Sequence, residues 1–130
     1  MKEKTDPLRV VIVGGGAAGA SAAARLRRLD ERAEITILEK SPDVSVAACG
    51  MPYFIGGEIA DRSRMALHRP DSLGALLNVN VLADTEAVAI DRGRKTVLAR
   101  HGGDGSERGI PYDKLVLATG AVPLRPELPN

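Results

Sequence analysis

Gly14, Gly16 and Gly19 form a Gly-x-Gly-x-x-Gly turn. It closes the β-branched run Leu8 to Val13 (LRVVIV) and opens the Ala-, Leu- and Arg-rich stretch Ala20 to Leu29. Few folds accommodate that arrangement. The run before the turn reads as a buried central strand of a parallel sheet, and the stretch after it as a helix. Glu34 to Glu39 (EITILE) supplies a second strand and completes a β-α-β unit. Gly14 permits the tight turn, Gly16 lets a pyrophosphate approach the backbone, and Gly19 lets helix and strand pack closely. The helix start offers free N–H groups and a partial positive charge to phosphates, which brings Gly15, Ala17 and Ala18 into the same binding turn. Glu39 stands twenty residues after Gly19, at the end of the second strand, with Lys40 beside it. There a carboxylate accepts hydrogen bonds from a ribose and repels a 2′-phosphate. FAD and NAD both fit these features.

The rest of the chain limits the alternatives. With 130 residues there is material for one compact domain. Eighteen Lys and Arg against 17 Asp and Glu leave a net charge of +1, so nothing electrostatic favours nucleic acid or an anionic membrane. Two tyrosines and one phenylalanine are too few for a base-stacking surface. The uncharged stretch Val10 to Ala24 is shorter than the ~20 residues of a membrane span. Cys49 is the only cysteine, which excludes an intrachain disulfide and suits a reducing, cytoplasmic compartment. His68 and His101 belong to no motif and read as surface residues; no metal is expected.

Beyond the first unit, a short helix is expected from about Cys49 and another over Asp71 to Leu77. Strands are expected at Asn80 to Leu82, Glu86 to Ile90, Thr96 to Arg100 and Lys114 to Ala118, with hairpin turns at Arg92-Gly93-Arg94 and Gly102 to Gly105. The sum is an α/β fold: a central parallel sheet, a three-stranded antiparallel meander and a return strand. Met1 to Pro7 reads as a frayed end. Pro123, Pro126 and Pro129 mark residues 121–130 as the start of a linker.

Ser45 to Ile59 reads SVAACGMPYFIGGEI. Through Ser45, Cys49-Gly50, Pro52-Tyr53 and Gly56-Gly57, this segment resembles the active-site stretch of single-cysteine FAD-dependent disulfide reductases. That group includes coenzyme A disulfide reductases, CoA-persulfide reductases, and NADH oxidases and peroxidases. The glycine turn, Arg27-Arg28-Leu29-Asp30 and Tyr112 to Gly120 (YDKLVLATG) fit as well. The resemblance implies a Rossmann-like FAD-binding domain, present in part, and makes Cys49 the redox nucleophile. At a helix start the thiolate is favoured. Without a partner cysteine it forms a mixed disulfide with substrate.

The resemblance also places Pro52, the backbone near Ala87, and Ala118-Thr119-Gly120 beside FAD. Residues matching Ser21, Arg25, Arg28 and Ser45 line the CoA site of the CoA-using members. Arg25, Arg28 and Arg32 read as one helix face, solvated or phosphate-binding. Val46 replaces the usual aromatic, Ala48 the usual asparagine, and Leu77 a lysine that can reach CoA. Peroxidase-type relatives carry a histidine in the glycine turn where this chain has Ala17. The implied activity is reduction of a low-molecular-weight disulfide or persulfide, CoA among them, by NADH or NADPH through FAD. An oxidase or peroxidase on the same scaffold is the alternative, and a non-catalytic nucleotide-binding module is another. Family members are several times longer, so residues 1–130 are expected to be the N-terminal part of an FAD-binding domain. The nicotinamide and dimerisation domains of a homodimer are expected downstream, and the fragment alone is expected to hold FAD weakly.

Overall fold

The computed structural model describes residues 6–128, so most of the expected frayed end, together with Pro129, falls outside the described residues. In chain order the elements are β1 (Arg9–Val13), α1 (Ala17–Leu29), β2 (Glu34–Leu38), β3 (Val44–Val46), a 3₁₀ turn (Ala48–Gly50), α2 (Met51–Ile55), a second 3₁₀ turn (Arg62–Met65), β4 (Ala66–His68), α3 (Pro70–Leu77), β5 (Asn80–Leu82), β6 (Thr85–Asp91), β7 (Thr96–His101), β8 (Glu107–Pro111) and β9 (Lys114–Leu117).

Strands β5, β2, β1 and β9 form, in that order, an all-parallel sheet. Successive residues of β1 point to opposite faces. Val10 and Ile12 pack with Ala23 of α1, Leu73 of α3, and Ile35 and Ile37 of β2. Val11 packs the other way, with Val97 and Ala99 of β7 and with Tyr112. The molecule therefore has three layers: helices, parallel sheet, antiparallel meander. Val10, Val11 and Ile12 are essentially buried, and each such side chain is worth about 1.5–3 kcal/mol. This explains why Val10 to Val13 of β1 is an uninterrupted run of β-branched apolar residues.

Two expectations need correction. Asn80–Leu82 does not join the meander; it pairs parallel with β2, in register from Thr36↔Asn80 to Leu38↔Leu82. Asp84, in the left-handed region at φ 48°, then turns the chain into β6. The meander is β6-β7-β8. Its third strand, Glu107–Pro111, carries the sequence ERGIP, which has almost none of the β-branched patterning that marks a strand. A β3–β4 antiparallel pair, Val44↔His68 and Val46↔Ala66, lies where no strand was expected and leaves His68 half-buried.

At the other end of β9, Asp113 clamps the strand to β1. Its Oδ2 accepts from the Arg9 backbone N–H (2.9 Å) and Nε (3.1 Å), and its Oδ1 from Nη2 (2.9 Å). The Asp113 N–H donates to the Arg9 carbonyl (2.8 Å). These bonds hold the Asp113 carboxyl at about 2, below its usual 3.8. Val13↔Leu117 is the register that follows.

Candidate functional site at the carboxyl ends of the parallel strands

The sheet order places β2 and β5 on one side of β1 and β9 on the other. The carboxyl end of β1 is thus the switch point at which open α/β sheets bind ligands. There α1 begins at Ala17 rather than Ala20, so Ala17, Ala18 and Gly19 form its first turn. Gly16 is the N-cap, extended at φ −71° and ψ −167°, without a side-chain cap, and the first turn holds no acidic residue. The N–H groups of that turn need partners from outside the helix, and an anion supplies them best.

Each glycine has a separate structural cause. Gly14 sits at φ 104°, and a Cβ there would run into the Ala118 carbonyl. A Cβ on Gly19 would run into the Gly14 carbonyl and come within 3.3 Å of Ile12 Cγ2. Around Gly16, no heavy atom lies within 4 Å of a built Cβ. That open cradle over a helix N-terminus fits a pyrophosphate. The Ala118 N–H donates to the Val13 carbonyl (2.8 Å), which carries Thr119 and Gly120 to the rim of the same turn. Gly120 has φ 70° and open space around it.

Glu39 is half-buried at the end of β2. Its Oε2 accepts from the Gly15 N–H (2.8 Å). Its Oε1 accepts from the Ser41 N–H (2.9 Å) and lies 2.8 Å from the Ser41 hydroxyl. The Glu39 backbone is fixed as well, its N–H donating to the Leu82 carbonyl and its carbonyl accepting from the Thr85 N–H (both 2.9 Å). Ala87 follows two residues along β6, half-buried, at a register shift of the β6–β7 ladder. Lys40 is exposed beside Glu39. Ser41 was missed by sequence reasoning; the Ser-Pro-Asp turn signal marks a loop there but not its partner.

The cysteine segment hangs from the same turn. Ser45 adopts φ 53°, a left-handed conformation unusual for serine, and its N–H donates to the Gly15 carbonyl (2.8 Å). The Ala47 N–H donates to the Met65 carbonyl (2.8 Å) and the Gly50 N–H to the Ala47 carbonyl (2.9 Å). Cys49 lies exposed in the 3₁₀ turn, two residues ahead of α2, so the thiol precedes the α-helix rather than starting it. Pro52 is exposed in the first turn of α2.

Ser21, Arg25 and Arg28 are exposed on α1 at i, i+4, i+7 spacing. Arg32 does not extend this face, because α1 ends at Leu29 and the Arg32 N–H bonds Asp30 Oδ1 (2.9 Å). Arg27 turns the other way. Its guanidinium donates to the carbonyls of Leu77 (3.0 Å), Asn78 (2.7 Å), Asp30 (3.2 Å) and Glu31 (2.7 Å). It caps the ends of α1 and α3 together, and the Leu77 side chain packs on the core.

The chain as a whole is similar to known proteins. The pyridine nucleotide-disulphide oxidoreductase family model matches residues 8–130. Coenzyme A disulfide reductase of Staphylococcus haemolyticus is 37% identical over 113 residues, which is 87% of this chain and 26% of that protein. NADH oxidase of Methanocaldococcus jannaschii is 31% identical over 121 residues, 93% of this chain and 27% of that protein. The structure of an NAD-dependent persulfide reductase from A. fulgidus superposes with a TM-score of 0.86 at 43% identity, over 92% of this chain and 22% of that one. The chain thus spans about a quarter of the length of these relatives. No helix among the described residues is long and apolar enough to cross a membrane. With a switch-point glycine turn, with the carboxylate after β2 and the cysteine segment both tied to Gly15, and with the family match running from β1 to residue 130, the chain belongs to the pyridine nucleotide-disulphide oxidoreductase family.

Proposed function

We propose that the full-length protein is an FAD-dependent enzyme that uses NADH or NADPH to reduce a low-molecular-weight disulfide or persulfide of the CoA type through Cys49. The observation that carries the reading is the Ser45 N–H bond to the Gly15 carbonyl. It fastens the exposed thiol's segment to the turn that cradles the pyrophosphate. Gly14, Gly15, Gly16, Ala17, Ala18 and Gly19 would hold the pyrophosphate, with Glu39 at the ribose. Lys40, the Ala87 backbone, Pro52 and Ala118 to Gly120 would line the remainder of the flavin.

The Cys49 thiolate attacks one sulfur of the substrate disulfide, forms a mixed disulfide and releases one thiolate. Bound flavin, with a nicotinamide as its electron source, supplies the two electrons that return both sulfurs to the thiol level. Cys49 needs no partner cysteine in such a cycle. Ser21, Arg25, Arg28 and Ser45 would meet a phosphate-bearing thiol: the two arginines are exposed on one helix face and enter no ion pair among the described residues.

The relative named NADH oxidase favours a second reading, reduction of oxygen or peroxide on this scaffold. Against it, Ala17 and Ala18 open α1 with no side-chain donor to assist oxygen–oxygen cleavage. In the family reading the full-length protein is a cytoplasmic homodimer with nicotinamide and dimerisation domains after the linker at residues 121–130.

The test is steady-state kcat/KM of the full-length protein with CoA disulfide, CoA persulfide, peroxide and oxygen. The thiol acceptors should lead. Peroxide or oxygen exceeding every disulfide and persulfide would overturn the reading.

A further inference from the structure

The Glu39 carboxylate is nearly full. Two oxygens offer about four acceptor sites. The Ser41 N–H and hydroxyl both face Oε1, and the Gly15 N–H takes one site on Oε2. A vicinal diol that bridges a carboxylate needs one site on each oxygen. Oε2 has one, and Oε1 has none while the Ser41 hydroxyl points at it. That hydroxyl has only one proton, and a second acceptor lies within reach: the Asp43 carbonyl, 2.9 Å from Oγ against 2.8 Å for Glu39 Oε1. The Ser41 backbone is fixed meanwhile, its carbonyl accepting from the Asp84 N–H (3.1 Å) and its own N–H staying on Oε1. Only the O–H rotor needs to turn.

We propose that Ser41 is a positioning residue whose hydroxyl holds the Glu39 acceptor site and yields it to a ribose diol by rotating onto the Asp43 carbonyl. Glu39 stays oriented in either state, and no polar group is stranded by the exchange. The inference rests on the reading of Glu39 as the ribose acceptor. The rotation trades a charge-assisted hydrogen bond for a neutral one, so the hydroxyl taxes diol binding. Removing it relieves that tax only for ligands that use Oε1.

The experiment titrates flavin-stripped full-length protein with FAD and with its 2′-deoxyadenosine and 3′-deoxyadenosine analogues, read by flavin fluorescence. In Ser41→Ala, the preference for FAD over the analogue that lacks the Oε1-facing hydroxyl should rise about two- to tenfold. Ser41→Thr, which keeps the hydroxyl, should restore the original ratio. A merely structural role would shift all three ligands together, and that result overturns the proposal. Glu39→Ala separates the two readings. If it abolishes the preference while Ser41→Ala leaves it unchanged, only the Ser41 proposal falls. If Glu39→Ala leaves the preference intact, both fall.

Discussion

Alanine at Gly16 and at Gly19 should separate ligand binding from folding within one turn. Gly19 lies inside α1 in ordinary helical backbone. By propensity alone its replacement would stabilise the helix by about 1 kcal/mol. The new Cβ, however, meets the Gly14 carbonyl, a backbone atom at a strand-to-helix junction, with Ile12 Cγ2 only 3.3 Å away. Neither neighbour can swing aside as an exposed side chain would. Overpacking of this kind costs about 1–3 kcal/mol, and a backbone obstacle puts Gly19→Ala at the top of that range. The expected net loss is about 2 kcal/mol, which lowers Tm.

Gly16 is the opposite case. Its φ of −71° suits any residue, and no heavy atom lies within 4 Å of the new Cβ. Gly16→Ala should therefore change stability by no more than about 0.5 kcal/mol. Its methyl enters the space a pyrophosphate would fill, so flavin affinity should fall about tenfold or more, at ~1.4 kcal/mol per decade. Thermal melts and flavin titrations of the full-length variants read the two effects separately. Gly19→Ala melting at or above the unmodified protein, or Gly16→Ala binding flavin as tightly, would refute this division of roles.

The other predictions rest on single side chains. Cys49→Ser should retain FAD and lose disulfide reduction, because a hydroxyl cannot form a mixed disulfide; substantial turnover by the serine variant would remove Cys49 from the chemistry. Glu39→Ala should weaken flavin binding about ten- to a hundredfold, from loss of roughly 1.5–3 kcal/mol of charge-assisted bonding, and it should lower Tm because the Gly15 N–H loses its acceptor; unchanged affinity excludes a ribose role. Asp113→Asn tests the β1–β9 clamp by pH. The carboxyl titrates near 2 when folded against 3.8 ordinarily, so its stabilisation is complete above about pH 4 and fades as pH drops towards 2. The Tm gap between the unmodified protein and the variant should be constant at neutral pH and close over that window; a gap that widens on acidification contradicts the clamp.

What could be read from the sequence was local. β1, the glycine turn, β2 and Glu39 lie within one stretch, and each announces itself by apolar run, glycine spacing or position. β5 is legible as a strand at Asn80–Leu82 but its partner is not, because three residues carry no periodicity and parallel pairing with β2 is a choice made at long range. Arg27 is legible as part of the Arg27-Arg28-Leu29-Asp30 stretch, but its acceptors at Leu77 and Asn78 lie about fifty residues away and leave no local signal. Ser45 gave no sign of its left-handed backbone, since serine has no preference that would reveal it.

Residue Gly15 explains how these pieces act on one another. Its N–H is held by the Glu39 carboxylate and its carbonyl by the Ser45 N–H. Gly15 is itself buried, and a Cβ there would press on Val44 Cγ1 at 3.1 Å and Glu39 Cβ at 3.3 Å. The Glu39 carboxylate and the cysteine segment are therefore anchored to the two backbone groups of one residue, on adjacent peptide units. The side chains that depart from the family pattern, Val46, Ala48 and Leu77, make none of these bonds. The placement of Cys49's segment relative to the glycine turn therefore does not depend on them. Substitution at these three positions, in β3, the 3₁₀ turn and α3, leaves the bonds at Gly15 intact.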